Sequence, residues 1–216
     1  MTALWSSFVV VALAEMGDKT QLVALALASR YRRPWTVMLG ILLATVLNHA
    51  LAASIGVRVA AMLPPSWLAW ALGLGFFAFG CWTLLPDRVG TLGTDSRWGP
   101  LLTTAALFFV AEMGDKTQLA TLALGARFES TIAVTAGTTL GMLAADGLAV
   151  FAGDRLTSVV PMRVIRWIAA ALFFAFGAAA IAGHVGTFLV PGAAGKATLG
   201  FRGTYGSEVV SRSGAR

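Results

Sequence analysis

Hydrophobic residues fill six long stretches of the chain, separated by short segments rich in arginine, glycine and proline. The stretches cover residues 2–28, 35–57, 67–85, 100–125, 131–151 and 164–183. Each is near or above the roughly 20 residues that a helix needs to cross the hydrocarbon core of a bilayer. None shows the period-two alternation of a membrane-barrel strand. The pattern therefore predicts an all-α polytopic membrane protein with six transmembrane helices.

The first and fourth stretches are interrupted by the same polar segment. The sequence Glu-Met-Gly-Asp-Lys-Thr-Gln-Leu forms residues 15–22, the first octapeptide, and returns unchanged as residues 112–119, the second octapeptide. A charge at the bilayer centre costs roughly 2.5 to 3.5 kcal/mol on insertion scales, so the three charges of one octapeptide oppose insertion by on the order of 8 kcal/mol. A cost of this size favours a functional role over a packing role.

The octapeptides belong to a longer internal repeat, in which residue i resembles residue i+97 without a gap from about residue 8 to residue 84. Between residues 15–30 and 112–127, 12 of 16 positions are identical. Each copy holds three spans, and because three is odd, the second copy must enter the membrane from the opposite side. The sequence therefore predicts two inverted three-helix repeats related by a pseudo-two-fold axis in the membrane plane, which suits alternating access.

The repeat divides the chain into four segments. They are a first three-helix repeat at residues 1–85, a connecting loop at 86–99, a second three-helix repeat at 100–183 and a flexible, glycine- and serine-rich tail at 184–216. Outside the octapeptides, eight arginines lie in or at the edge of the gaps after spans one, three and five, and two lie in the gaps after spans two and four. The positive-inside rule places the eight-arginine side in the cytoplasm, although the four basic residues of the tail favour the opposite orientation.

Composition supports a membrane protein and excludes several other classes. The chain is 57% hydrophobic and 12% charged, with a mean hydropathy of +0.78, which is far more apolar than a soluble domain. The formal net charge of +6 comes largely from arginines between the spans, so it sets orientation and does not indicate nucleic-acid binding. The single cysteine, Cys81, excludes a disulfide framework. The first stretch lacks the basic region and cleavage pattern of a signal peptide, so we expect it to remain as a span.

On a continuous helix, the charged residues of each octapeptide would share one face. Asp18 follows Glu15 by three positions and Lys19 by four, with Gln21 at the edge of that face. Both glutamates lie roughly 15 Å from an interface, near the midplane of the bilayer. If the two repeats face each other, their oxygen-bearing side chains form one metal site. The predicted ligands are Glu15, Asp18, Gln21, Glu112, Asp115 and Gln118.

The predicted ligands indicate a hard divalent cation. Carboxylate and amide oxygens suit Mn²⁺, Ca²⁺ and Mg²⁺ better than soft metals. Four carboxylates against two lysines leave a charge of −2, which one divalent cation or two protons would neutralise. Crowded carboxylates in a low-dielectric medium favour proton uptake, so metal and proton compete for the site as in an antiporter. We therefore expect Mn²⁺ or Ca²⁺ and protons as substrates, with no resident cofactor.

The remaining octapeptide residues are assigned supporting roles. The lysines either act as counter-charges or swing away when a cation binds, and ion pairs to the glutamate four residues earlier are the structural alternative. The threonines point more nearly away, so backbone hydrogen bonds or an outer layer of the site are expected for them. Gly17 and Gly114 permit either close helix approach or local unwinding. The supporting residues are Lys19, Thr20, Lys116 and Thr117.

Three further polar residues lie in the middle of apolar stretches. Asn48 and His49 lie in the second stretch, and the repeat aligns His49 with Asp146 in the fifth. Ionisable residues within spans are costly and mark ion or proton pathways. A proton relay is therefore predicted for this set, with a hydrogen-bonded, purely structural histidine as the alternative.

Two copies of Glu-x-Gly-Asp-Lys-Thr in a six-span protein resemble the signature of the Golgi-type calcium/manganese-proton antiporter family, also catalogued as uncharacterised protein family 16, which includes bacterial manganese exporters. The resemblance covers roughly residues 2–183, with both motifs intact. It implies export of Mn²⁺ or Ca²⁺ from the cytoplasm in exchange for protons, and the short chain resembles the bacterial form, in the cytoplasmic (inner) membrane. The motif positions carried over are Glu15, Asp18, Lys19, Thr20, Glu112, Asp115, Lys116 and Thr117.

Other functions remain open alternatives. The first is a proton-coupled exporter of a small organic solute such as an amino acid, in which the acidic pairs serve only protons. An intramembrane hydrolase is disfavoured because the chain has no Gly-x-Gly-Asp pattern or Ser/His nucleophile arrangement, so an enzyme is not predicted. A non-catalytic assembly protein is the last alternative. The expected partners are the cation, the proton and the lipid bilayer, without nucleic acid, and a homo-oligomer is left open.

Overall fold

The computed structural model describes residues 1–85, 98–152 and 162–189. These residues form eight helices: α1 (Thr2–Glu15), α2 (Lys19–Tyr31), α3 (Pro34–Met62), α4 (Pro65–Leu84), α5 (Gly99–Glu112), α6 (Lys116–Phe128), α7 (Thr131–Ala152) and α8 (Met162–Leu189). The predicted all-α class is confirmed for the described ranges. The connecting loop predicted at residues 86–99 lies almost entirely outside them, as does the predicted tail after residue 189.

Among the described residues, four helices are long and apolar enough to cross a membrane. They are α3, α4, α7 and the Arg163–Gly183 part of α8, which correspond to the second, third, fifth and sixth predicted stretches. The 29 residues of α3 extend over about 44 Å, enough to cross a hydrocarbon core of about 30 Å with some tilt. Helix α8 continues past the predicted end at residue 183 to Leu189. The chain is an α-helical integral membrane protein.

The first and fourth predicted stretches are each two short helices. Helix α1 has 14 residues and α2 has 13, and the same lengths recur in α5 and α6. The expectation of unbroken helices over residues 2–28 and 100–125 is therefore wrong. A 14-residue helix is about 21 Å long, which is less than a hydrocarbon core of about 30 Å. Two short helices in series are needed to cover that thickness, with an octapeptide at their junction.

Each break is made by a glycine in the left-handed region. Gly17 has a φ of +80° and Gly114 a φ of +76°, which favours glycine because a Cβ would collide with the backbone. The residues on either side are extended in both breaks, and their dihedral angles agree within a few degrees. Of the two predicted roles of these glycines, local unwinding is therefore confirmed.

Helices of one half of the chain pack on helices of the other half. Helix α1 lies along α7, and α3 lies along α5 and α6. A Cβ on Gly137 would overlap the Leu4 carbonyl of α1, and a Cβ on Gly40 would overlap the Leu101 carbonyl of α5. Small residues permit this close approach of membrane helices. The two contacts are reciprocal, because Gly137 and Leu101 lie 97 positions after Gly40 and Leu4.

Helices α4 and α8 meet through phenylalanines that face their own repeat counterparts. The rings of Phe77 and Phe174 stack with centroids 5.7 Å apart, and those of Phe76 and Phe173 lie 6.3 Å apart. Phe76 and Phe173 are buried. This pair therefore contributes to the packing of the two helices. These contacts join the last described helix of one half of the chain to that of the other half.

Candidate functional site

The backbone of each break is held by the glutamine of the same octapeptide. The Gly17 N–H donates to Gln21 Oε1 at 2.9 Å, and the Gly114 N–H donates to Gln118 Oε1 at 2.7 Å. Gln21 Nε2 also donates to the Ala145 carbonyl of α7 at 2.8 Å. Each glutamine carbonyl oxygen therefore accepts one hydrogen bond and keeps one lone pair that a metal ion could use.

Glu15 ends α1 and is fully buried. Its Oε2 accepts a hydrogen bond from the Thr20 hydroxyl at 2.8 Å, and its Oε1 accepts one from the Thr117 hydroxyl. The expectation that both threonines point away from the glutamates is therefore wrong. The reason is the helix break, because Thr20 and Glu15 lie on different helices whose relative direction the glycine sets.

The ion pairs of the site cross between the two octapeptides. Lys19 Nζ lies 3.2 Å from Asp115 Oδ2, and Lys116 Nζ lies 2.6 Å from Asp18 Oδ1. The alternative of helical i,i+4 pairs is wrong, since each lysine begins the helix that follows the break. The first pair is partly accessible, with the Lys19 side chain 27% exposed, whereas the Lys116 side chain is 5% exposed. Two related pairs thus differ in their access to solvent.

The two glutamates have unequal surroundings despite identical octapeptides. Glu112 ends α5 and is fully buried, like Glu15. Within the described part of the chain, neither carboxylate oxygen of Glu112 has a hydrogen-bond partner. The Thr117 hydroxyl, which belongs to the same octapeptide as Glu112, donates to Glu15 instead. One glutamate is therefore stabilised by two donors and the other by none.

Of the three residues predicted to relay protons, Asp146 lies close to the first octapeptide. It follows Ala145, whose carbonyl binds Gln21, and it lies within electrostatic range of Glu15 and Glu112. Asn48 Nδ2 donates to the Phe109 carbonyl of α5 at 3.1 Å. His49 is buried, and neither ring nitrogen has a hydrogen-bond partner among the described residues. The hydrogen bond expected for a structural histidine is thus absent from this part of the chain.

Each aspartate of the site lies beside the ammonium group of a lysine. In the described ranges, no three Asp, Glu, His or Cys side chains converge closely enough to hold a metal ion. Both aspartates instead lie against lysines of the opposite octapeptide. A cation that takes these aspartate oxygens must therefore displace the lysines. The six-ligand metal site remains a prediction, and it requires this rearrangement.

Each break has a local signal in the sequence, which the prediction of continuous helices did not use. Asp18 and Asp115 occupy N-cap positions, each directly after the glycine of its octapeptide. Aspartate is a preferred N-cap residue, and a Gly-Asp pair within an apolar stretch is consistent with a helix start. That signal could have predicted both breaks. The crossing of lysines to the opposite aspartates leaves no local signal.

Comparison with known proteins places this site in context. The family model described as "Divalent cation/proton antiporter GDT1" matches residues 3–91 and 100–187, so each matched block contains one octapeptide. A Vibrio cholerae protein named "Putative manganese exporter" is 46% identical over 174 residues, which cover 80% of this chain and 87% of that protein.

More distant relatives match a similar share of the chain. A GDT1-like protein of Synechocystis is 28% identical over 198 residues, covering 82% of this chain and 95% of the relative. The chloroplastic GDT1-like protein 2 of rice is 30% identical over 211 residues, covering 82% of this chain and 60% of the relative. No solved structure matches the chain.

Proposed function

Because the chain belongs to the GDT1 family of divalent cation/proton antiporters, we propose that it exports a divalent cation from the cytoplasm in exchange for protons. Mn²⁺ is the favoured substrate, since the 46% identical relative from Vibrio cholerae carries a manganese exporter's name. Ca²⁺ is the alternative, because both ions accept oxygen ligands. The bacterial relatives of the chain favour the inner membrane as the location of this protein.

The observation that carries this proposal is the crossing of the two Lys–Asp ion pairs at the helix breaks. It brings both acidic octapeptides together inside an apolar helical protein. Buried ionisable residues of a membrane protein are costly and occur where ions or protons pass. Broken helices at the same point are typical of transporter sites, where the freed backbone and side chains serve the substrate.

The charges of the octapeptides support exchange of a divalent cation for protons. The lysines neutralise two of the four carboxylates, which leaves −2. Either one divalent cation or two protons restores neutrality, and a low-dielectric site disfavours both the empty and the doubly filled condition. Competition between the two substrates for the same oxygens couples their movements. The lysines then act as internal cations that hold the aspartates until the metal ion replaces them.

Reciprocal contacts support two inverted three-helix repeats. Lys19 contacts Asp115, and Lys116, its counterpart 97 positions later, contacts Asp18, the counterpart of Asp115. Reciprocity of this kind characterises a two-fold relation. The stacking of Phe77 on Phe174, its own counterpart, supports the same axis. With three spans in each repeat, that axis lies in the membrane plane. It therefore relates the site as it opens to one side of the membrane to the site as it opens to the other side.

The function is tested by flux in proteoliposomes that contain the purified chain. Uptake of Mn²⁺, Ca²⁺ and Mg²⁺ is compared with and without an imposed pH gradient, and proton movement is followed with a pH-sensitive dye. We expect Mn²⁺ flux that a proton gradient of opposite direction accelerates. Glu15→Gln and Asp115→Asn should abolish this flux while the protein still inserts and remains monodisperse.

Two outcomes would contradict the proposal. Full Mn²⁺ and Ca²⁺ transport by both variants would remove the octapeptides from the transport path. Proton-driven efflux of an amino acid, without metal flux and without metal-dependent thermal stabilisation in detergent, would support the organic-solute alternative.

A further inference from the structure

Asp146 is a buried acid that no part of either octapeptide neutralises. It lies in α7 and is fully buried. Among the described residues, neither of its carboxylate oxygens has a hydrogen-bond partner. A buried charge is retained where it is paired, hydrogen-bonded or bound to a cation. The first two of these do not account for Asp146 in the described chain.

The position of Asp146 is fixed relative to the first helix break. Gln21 holds the break by accepting the Gly17 N–H, and it donates its own amide N–H to the Ala145 carbonyl at 2.8 Å. The residue that follows this carbonyl is Asp146. The Asp146 carboxyl group lies within electrostatic range of the carboxyl groups of Glu15 and Glu112. Gln21 thus ties α7, at the residue before Asp146, to the first octapeptide.

The carboxylates around the breaks fall into three groups. Asp18 and Asp115 are paired with lysines, and Glu15 accepts two threonine hydroxyls. Glu112 and Asp146 have neither a donor nor a contacting cation among the described residues. These two acids and Glu15 form no ion pair with a lysine among the described residues. The three carboxylates do not converge closely enough to hold a metal ion in this arrangement, so a cation that takes their oxygens must draw them together, but it need not first displace a lysine.

We infer that Asp146 is a third acidic member of the transport site, which supplies a carboxylate ligand to the transported divalent cation alongside Glu15 and Glu112. The inference rests on the proposed function and extends the site beyond the two octapeptides. It also makes the site asymmetric, because the repeat counterpart of Asp146 is His49. A hard cation prefers a carboxylate to an imidazole, so α7 holds the ion and α3 does not.

The test compares three variants of the full chain in detergent and in proteoliposomes. Asp146→Asn removes the charge at nearly constant volume, and Asp146→Glu keeps the charge but shifts its oxygens by one methylene. Glu129→Gln, at an exposed position after α6, is the matched control for loss of one acid. Metal binding is read from the rise in melting temperature with Mn²⁺ or Ca²⁺ concentration, and transport from KM and kcat.

For Asp146→Asn we expect the half-saturating Mn²⁺ concentration to rise at least about tenfold, in both the melting and the transport measurements, as loss of a ligand predicts. Asp146→Glu should still be stabilised by metal, with its Mn²⁺ to Ca²⁺ affinity ratio changed by about threefold or more because the two ions differ in preferred ligand distance. Glu129→Gln should match the wild type.

Each remaining outcome overturns the inference. If a folded Asp146→Asn variant binds metal with wild-type affinity, Asp146 is not a ligand. This conclusion holds even if transport by the variant no longer depends on the proton gradient. If Asp146→Asn does not fold, an unchanged affinity ratio in Asp146→Glu contradicts a ligand role. A wild-type protein that neither binds nor moves Mn²⁺ or Ca²⁺ contradicts the proposed function itself, which separates that failure from failure of this inference.

Discussion

At the residue scale, the main result is that identical octapeptides give different chemical environments. Thr117 illustrates the difference, because its hydroxyl serves Glu15 of the first octapeptide and not Glu112 of its own. Glu15 is therefore held by donors, whereas Glu112 depends on the arrival of a positive species. The hydrogen bonds hold the Glu15 carboxylate in place, whereas the Glu112 oxygens are left entirely to the substrate.

The hydrogen bond from Thr117 predicts a specific loss of stability. Thr117→Val keeps the shape of the side chain and leaves a buried oxygen of Glu15 without its donor, which should cost about 1 to 3 kcal/mol. Thr117→Ser restores the hydroxyl and should remain near the wild type. The measurement is the unfolding midpoint in detergent. Equal midpoints for the two variants would show that the hydroxyl does not support Glu15.

The two lysines predict unequal effects. Lys116→Gln removes the ion-pair partner that lies 2.6 Å from Asp18 Oδ1, and because the Asp18 side chain is fully buried, this should cost about 3 to 5 kcal/mol. Lys19→Gln should cost less, because the Lys19 side chain is 27% exposed and solvent shares its charge. Adding Asp18→Asn to Lys116→Gln should recover stability. Both single variants and the double variant are compared by melting temperature at one detergent and salt concentration, and an equal loss for both lysines would contradict the assigned burial.

At the element scale, the breaks at the octapeptides divide the first and fourth predicted spans into four short helices. Each break places the carboxyl end of one helix, at Glu15 or Glu112, beside the amino end of the next. An amino-terminal helix end carries a partial positive charge that favours the aspartate at its N-cap. The break therefore helps to hold acids within an apolar protein, and it turns Thr117 and both lysines toward the opposite octapeptide.

The left-handed glycines predict a backbone effect that is separate from packing. Gly114→Ala places a Cβ where no atom lies within 4 Å, at a φ of +76°, so its cost of about 1 to 2 kcal/mol comes from the backbone alone. Gly75→Ala in α4 is the matched control, since its added Cβ also meets open space but its backbone is helical. That control should be neutral or more stable.

The same variants test whether the break is needed for transport. Gly114→Ala should lower both the melting temperature and Mn²⁺ flux, because a straightened segment moves the second octapeptide away from the first. Gly75→Ala should keep full flux. Matching behaviour of the two variants would mean that the left-handed conformation contributes nothing at the break.

Sequence information predicted the helices better than their junctions. Apolar length and the 97-residue repeat located the four long spans and both octapeptides, because these depend on local composition. The breaks were missed because a hydropathy pattern does not report φ, although Gly17 and Asp18 carried a local signal. The contacts of Lys19 with Asp115 and of Thr117 with Glu15 depend on how distant segments pack, and no spacing along the chain predicts them.

At the scale of the whole molecule, the reciprocal contacts fit two halves of opposite orientation around one site. Gly40 and Gly137 each seat the first helix of the other half, so the halves interlock. In such a protein the two halves can exchange conformations, because each contact made by one half has a counterpart in the other half. The unequal exposure of Lys19 and Lys116 fits one of these two arrangements.

Opposite orientation of the halves makes a direct prediction about topology. Arg33 lies just after α2, and its repeat counterpart Ser130 lies just after α6. Inverted repeats therefore place these two residues on opposite sides of the membrane. In a Cys81→Ser background, Arg33→Cys should react with a membrane-impermeant maleimide in inside-out vesicles only, and Ser130→Cys in right-side-out vesicles only. Arg30 and Arg32 remain to hold the orientation. The Cys81→Ser protein, which then contains no cysteine, gives the background. Labelling of both positions from the same side would exclude inverted repeats, and labelling with the sides exchanged would keep the repeats and reverse the orientation.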